Sequence, residues 1–129
     1  HIGYNYRMPN INAALGCAQL ENLDRYVADK RETASCYAEF FKGKEDITFF
    51  TEPADCKSNY WLNAVVLKDK AAQLDFLEYT NDHGVMTRPV WELMNRLPMF
   101  EHCETDGLEN TEWLADRVVN IPSSVRLDK

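Results

Sequence analysis

The stretch 59-NYWLNAVVLKDKAAQLDFLEYTNDHGVMTRPV-90 changes hydrophobic period twice, and those changes decide the fold class. Asn59–Leu67 is aromatic and β-branched, the composition of a strand. From Asp69 onward the apolar residues return at helical spacing, with Leu74, Leu77 and Tyr79 on the inward side and Gly84 as the stop. "VMTRPV" then resumes an extended pattern. Pro89 has no N–H to donate, so it must end that strand or hold it at an edge.

Working outward toward the C-terminus, "WELMNRLPMF" (91–100) reads as a loop or short helical turn carrying large apolar residues. "NTEWLADRVV" (110–119) is a short helix capped by Asn110 or Thr111, and "VVNIPSS" (118–124) is a last strand and turn. Toward the N-terminus, "ITFF" (47–50) is a short strand, and everything from Asn10 to Gly43 has helical periodicity. We expect one long helix there, with Asn10 as its N-cap and Pro9 just before. Its first half is small and apolar on most sides, with Ala13, Ala14, Gly16, Cys17 and Ala18 permitting close approach of another backbone. Its second half is amphipathic through Leu23, Tyr26, Val27, Ala34, Tyr37, Phe40 and Phe41. The order of elements predicts an α+β fold, helices layered on a small sheet, in a single domain over residues 1–129.

The composition, 45% hydrophobic and 27% charged, is that of a globular chain. A net charge of -7 argues against nucleic acid as the partner, because phosphate contacts along a polymer need many Lys and Arg. It leaves room for an anionic small molecule in a locally positive pocket. No apolar run is long enough to cross a bilayer, so no membrane partner is expected. Cys17, Cys36, Cys56 and Cys103 form no C-x-x-C pair and read as free thiols in a reducing, cytoplasmic setting. His102 and Cys103 are adjacent, a poor spacing for one ion, and no second ligand pair follows, so no metal site is expected. His83 sits where a helix C-terminus favours a partial positive charge.

The chain has no P-loop, G-x-G-x-x-G, nucleophile elbow or H-E-x-x-H. Its lysines lie beside charges or in turns, not in the apolar settings that depress a lysine pKa for Schiff-base chemistry, and no residue is assigned as catalytic. Two clusters have the chemistry of ligand-binding pieces. "GYNYR" (3–7) places an Asn and an Arg just before a helix start, where an anion is favoured. The alternative is packed tyrosines and an Arg paired with a surface carboxylate. "TRPVW" (87–91) fixes Arg88 beside Pro89 with Trp91 close by, able to pair with an anion and stack a ring. Here the alternative is a core Trp and a solvated Arg.

Taken together, "GYNYRMPNINAALGCAQLENLD", "SNYWLNAVVL", "TRPVWELMNRLPMF" and "NIPSS" resemble the DegT/StrS-type sugar aminotransferases, across essentially the whole chain. The "SNYWLNA" and "TRPVWELM" blocks are most similar to the branch acting on UDP-linked 4-keto-6-deoxy hexoses in legionaminate or bacillosamine pathways. The resemblance implies the C-terminal small domain of the aspartate-aminotransferase (fold type I) superfamily, with the large domain and its Schiff-base Lys upstream of residue 1. It implies pyridoxal 5'-phosphate as the parent's cofactor, glutamate and a nucleotide sugar as substrates, and a homodimer. By position, Asn5 matches an Asn that reaches the cofactor phosphate of the neighbouring subunit. Arg7 resembles a residue on the diphosphate side of the substrate, and Arg88 and Trp91 match the small-domain rim of the sugar-nucleotide cleft. Asn95 stands where many relatives carry His. The expectation is a domain inactive by itself; the alternative is a stand-alone non-catalytic binding or dimerisation module. On the first expectation, the helix from Ile11 exposes an apolar patch once its partner is removed.

Overall fold

The fold was obtained as a computed structural model, and it describes residues 7–126. Helices α1 (Asn10–Leu20) and α2 (Leu23–Phe41) lead into strands β1 (Ile47–Phe49) and β2 (Asn63–Leu67). Helix α3 (Lys70–Asp82), strand β3 (Arg88–Pro89), two 3₁₀ turns at Met94–Arg96 and Pro98–Phe100, helix α4 (Glu109–Ala115) and strand β4 (Val118–Ile121) complete it. The sheet is four-stranded in the order β1-β2-β4-β3, each neighbouring pair antiparallel. The expected α+β layering is present.

Residues opposite one another across the register share a face. Phe49, Val65 and Val119 lie in one such row, and Asn63 and Ile121 in the next on that face. With Leu67 and Ala34 these apolar side chains form the core, and Tyr37, Ala38 and Phe41 of α2 and Ala72, Phe76 and Leu77 of α3 pack on it. Both helices therefore cover one face. The other face carries Ala64, Asn120 and Arg88 in a row and has no helix spread over it.

Several expectations are corrected by the structure. The first helix is broken at Glu21 and Asn22. Asn22 turns its amide back on Ala18 O (3.0 Å), and its N–H bonds Gln19 O at i−3, so side-chain competition for the backbone ends α1. Asn10 is the first helical residue and not the cap; Pro9 holds that position with extended φ/ψ, its C=O accepting from Ala13 N at 3.0 Å. The second strand begins at Asn63. Residues 59–62 instead form a turn in which Asn59 Oδ1 accepts from Trp61 N (3.0 Å) and Tyr60 adopts φ 47°. In α3 the inward residues are Gln73, Phe76 and Leu77, while Leu74 and Tyr79 are exposed. Gln73 is buried because its amide donates to Ala115 O (2.9 Å) and Val118 O (2.8 Å), tying α3 to the α4–β4 junction. The α4 N-cap is Leu108 in the left-handed region (φ 53°), following Gly107, and neither Asn110 nor Thr111 caps it.

Other readings hold. Gly43 and Gly84 follow their helices with positive φ, and Pro89 lies in an edge strand; Asp69, not singled out in the sequence, caps α3 through Ala72 N at 2.8 Å. His83 Nδ1 meets Tyr79 O at 2.7 Å at the end of α3. The four cysteines are free and exposed. Helix α1 has no buried residue; Ile11 and Leu15 on it, and Met8 just before it, are exposed.

A candidate anion-binding groove

An open groove of about 1140 Å³ lies at the end of the sheet where β2 begins, β4 ends and the chain enters β3. Arg88 reaches it from β3, in register with Asn120 of β4, which also lines it. Trp91 follows β3 and is 91% exposed, and Trp61, which also lines the groove, is 66% exposed. An indole this bare is an expensive thing to leave in water unless something stacks on it. Lys30 of α2 and Ser123, after β4, also line it. None of the described lining residues is acidic, in a chain of net charge -7. The groove thus pairs guanidinium and ammonium donors with flat apolar surface, which suits an anion joined to a ring.

The walls are held by half-buried and buried polar contacts. Arg31 and Glu52 form a bidentate pair, Nη2 to Oε1 at 2.6 Å and Nη1 to Oε2 at 3.0 Å. Arg31 also donates to Ser58 O, and Ser58 N donates to Glu52 Oε2. Tyr60 lies beneath the guanidinium at 5.6 Å and accepts from Glu52 N through its hydroxyl. The Arg31 guanidinium, then the Ser58 amide, hold the Glu52 carboxyl down to about 2. This cluster fixes the turn that presents Trp61. On the other wall, Thr87 is buried and its hydroxyl meets Thr80 Oγ1 at 2.6 Å and Asn81 Nδ2 at 3.0 Å, anchoring the residue before Arg88.

A second concavity, of about 610 Å³, lies under residues 92–111 and is lined by Glu92, Glu104 and Asp106 with Met94 and Phe100. Asn95 lines this pocket and is not part of the groove. No grouping of His, Cys, Asp and Glu able to hold a metal occurs among the described residues.

None of the described lysines sits in the apolar, unpartnered setting that a covalent anchor for a pyridoxal cofactor needs. Lys30 is engaged by backbone carbonyls. Lys42, Lys68 and Lys70 are ion-paired at the surface, Lys44 sits over Phe40, and Lys57 is exposed. Of the residues singled out in the sequence, Arg88 and Trp91 are brought together in one groove. Arg7 is exposed just before α1 and does not line it. Asn5 lies outside the described residues. Lys30, Trp61, Asn120 and Ser123 are groove residues that sequence reasoning missed; the polar-aromatic density of "SNYWLN" was the available signal for Trp61.

Comparison with known proteins gives this groove a context. GDP-perosamine synthase of Escherichia coli O157:H7 is 32% identical over 124 residues, 95% of this chain and 33% of that protein. The putative pyridoxal phosphate-dependent aminotransferase EpsN of Bacillus subtilis is 32% identical over 126 residues, 95% of this chain and 32% of that protein. Among solved structures, the sugar aminotransferase CalS13 from Micromonospora echinospora superposes with a TM-score of 0.82 at 25% identity, over 98% of this chain and 33% of that one. The chain spans about a third of the length of these relatives. The family profile of the DegT/DnrJ/EryC1/StrS aminotransferases matches residues 1–129, and the chain belongs to that family.

Proposed function

We propose that this chain is the C-terminal small domain of a pyridoxal phosphate-dependent sugar-nucleotide aminotransferase, and that its groove receives the nucleotide sugar. The observation that carries this reading is the groove itself: Lys30 and Arg88 with two exposed indoles and no described acidic lining residue. A nucleotide sugar offers the complementary pieces, a diphosphate and a flat base. The parent reaction on this reading moves an amino group from glutamate to a UDP-linked 4-keto-6-deoxy sugar. Pyridoxal phosphate supplies the electron sink when bound, and this segment's residues contribute position and charge.

In that assignment Arg88 pairs with an anionic oxygen of the substrate and Trp91 covers its ring. Arg7 lies toward the diphosphate, and Asn5 reaches the cofactor phosphate of a second copy in a homodimer. The bare stripe Met8, Ile11 and Leu15 is where the remainder of a longer chain packs. No described helix is long and apolar enough to cross a membrane. We place the enzyme in the cytoplasm, where nucleotide sugars and free thiols coexist. The described lysines offer no covalent anchor, so residues 1–129 alone are expected to be inactive.

The test is a substrate panel on the full-length enzyme: UDP-, GDP- and dTDP-linked 4-keto-6-deoxy sugars with glutamate as donor, beside the isolated 129-residue chain. The reading predicts turnover by the full-length enzyme, best with the UDP sugar, and none by the isolated chain. Turnover by the isolated chain, or covalent pyridoxal phosphate on one of its lysines after borohydride, refutes it.

A further inference from the structure

Lys30 has an unusual set of partners. Its Nζ donates to Ser123 O at 2.6 Å and to Trp61 O at 3.3 Å, carbonyls that lie 93 and 31 residues further along the chain. Those carbonyls belong to the two segments that flank the sheet end, one before β2 and one after β4, and both segments line the groove. Ser123 extends the connection: its hydroxyl accepts from Asn63 N at 2.7 Å and donates to Ile121 O at 2.7 Å. One ammonium on α2 therefore sets the separation between the Trp61 turn and the C-terminal segment. Residues 122–126 are held down further along α2, where Tyr37 Oη donates to Pro122 O (3.0 Å) and Arg126 pairs with Asp29 (3.1 Å) and Glu32 (3.2 Å).

The charge of Lys30 is handled differently from that of Arg31 next to it. Arg31 is matched by Glu52, whereas no described carboxylate lies within ion-pairing distance of Lys30. Neutral carbonyls leave the ammonium's charge uncompensated at the groove, and two bonds leave one of its three protons in hand. We infer that Lys30 is a positioning residue of the groove, clamping the Trp61 and Ser123 walls at the spacing an anionic ligand needs while keeping the site positive. The inference rests on the nucleotide-sugar reading for its ligand, but the clamp itself is measurable without one.

The experiment uses full-length enzyme carrying Lys30→Met, which keeps the aliphatic stem, and Lys30→Arg, which keeps the charge. Two quantities are read: steady-state KM for the nucleotide sugar and for glutamate, and amide exchange in peptides covering residues 61–64 and 122–126. Lys30→Met is expected to raise the nucleotide-sugar KM about tenfold, as the two walls lose their clamp and the groove one positive charge, with the glutamate KM unchanged. Exchange in both peptides should accelerate by about tenfold while a peptide within α3 stays at the wild-type rate. Lys30→Arg should restore most of both. Wild-type exchange rates in Lys30→Met overturn the inference. So does faster exchange with an unchanged nucleotide-sugar KM, which makes the clamp merely structural. A wild-type enzyme that uses no nucleotide sugar, in which exchange still responds to Lys30, refutes the substrate reading and supports the clamp.

Discussion

The two concavities of this small domain are opposites in charge. The groove at the sheet end gathers Lys30 and Arg88 between Trp61 and Trp91, while the pocket under residues 92–111 gathers Glu92, Glu104 and Asp106 around Met94 and Phe100. Both are walled by loops and strand ends of one chain whose overall charge is -7. Net charge argues against a polyanionic partner, but it says nothing about where a single phosphate can sit. What matters at a site is the sign of the groups within a few ångströms, since charges beyond about a Debye length, ~8–10 Å, are screened. The carboxylates around the second pocket disfavour an anion there.

The largest effect expected from breaking this contrast is at Arg88. Arg88→Met in the full-length enzyme removes the charged donor from β3 and should raise the nucleotide-sugar KM by roughly 10- to 100-fold, from the worth of a charge-assisted hydrogen bond. Steady-state kinetics with the sugar varied checks it, and an unchanged KM places the anion elsewhere. A smaller effect is expected from the support of the Trp61 wall. The Glu52 carboxyl is held down to about 2 in the fold, against 4.5 as its reference value. A group with a depressed folded-state pKa stabilises fully above its unfolded value, and that contribution is lost as pH falls from about 4.5 toward about 2. The urea midpoint should therefore drop between about pH 6 and pH 3 in the parent, and less so in Glu52→Gln. Equal drops would separate Glu52 from the acid response. The smallest effect belongs to the other pocket: Glu104→Gln with Asp106→Asn should change the nucleotide-sugar KM by less than about twofold, since exposed charges at a distance are weakly coupled.

Local chemistry was legible in the sequence, and long-range chemistry was not. The apolar run Val65–Leu67, the Gly84 stop and the edge position implied by Pro89 each follow from a residue and its immediate neighbours. Gln73 defied the pattern because the carbonyls that satisfy it lie 42 and 45 residues away, and Leu74 beside it was left outside. The break at Asn22 was hidden for a different reason. Apolar periodicity continues through it, and a single side-chain amide competing for Ala18 O is enough to stop α1. Within the candidate groove, Arg88 and Trp91 were singled out because they are near in sequence and the family resemblance marked them. Lys30 and Ser123 were missed because their meeting depends on how β4 returns past α2. Asn63 shows the same limit: it fits a strand pattern, yet its side-chain amide is buried with no hydrogen-bond partner among the described residues.

Pro89 has one further consequence. A two-residue border strand with a proline in it offers almost no backbone donors on its outer side, so no additional strand can be recruited alongside β3. Lateral growth of the sheet is blocked at that margin, leaving only the short Ile47–Phe49 margin on the far side. Any other polypeptide joining this domain on the Arg88 side must come in over a surface, by side-chain contact, and the mouth of the groove is kept from being sealed by strand exchange.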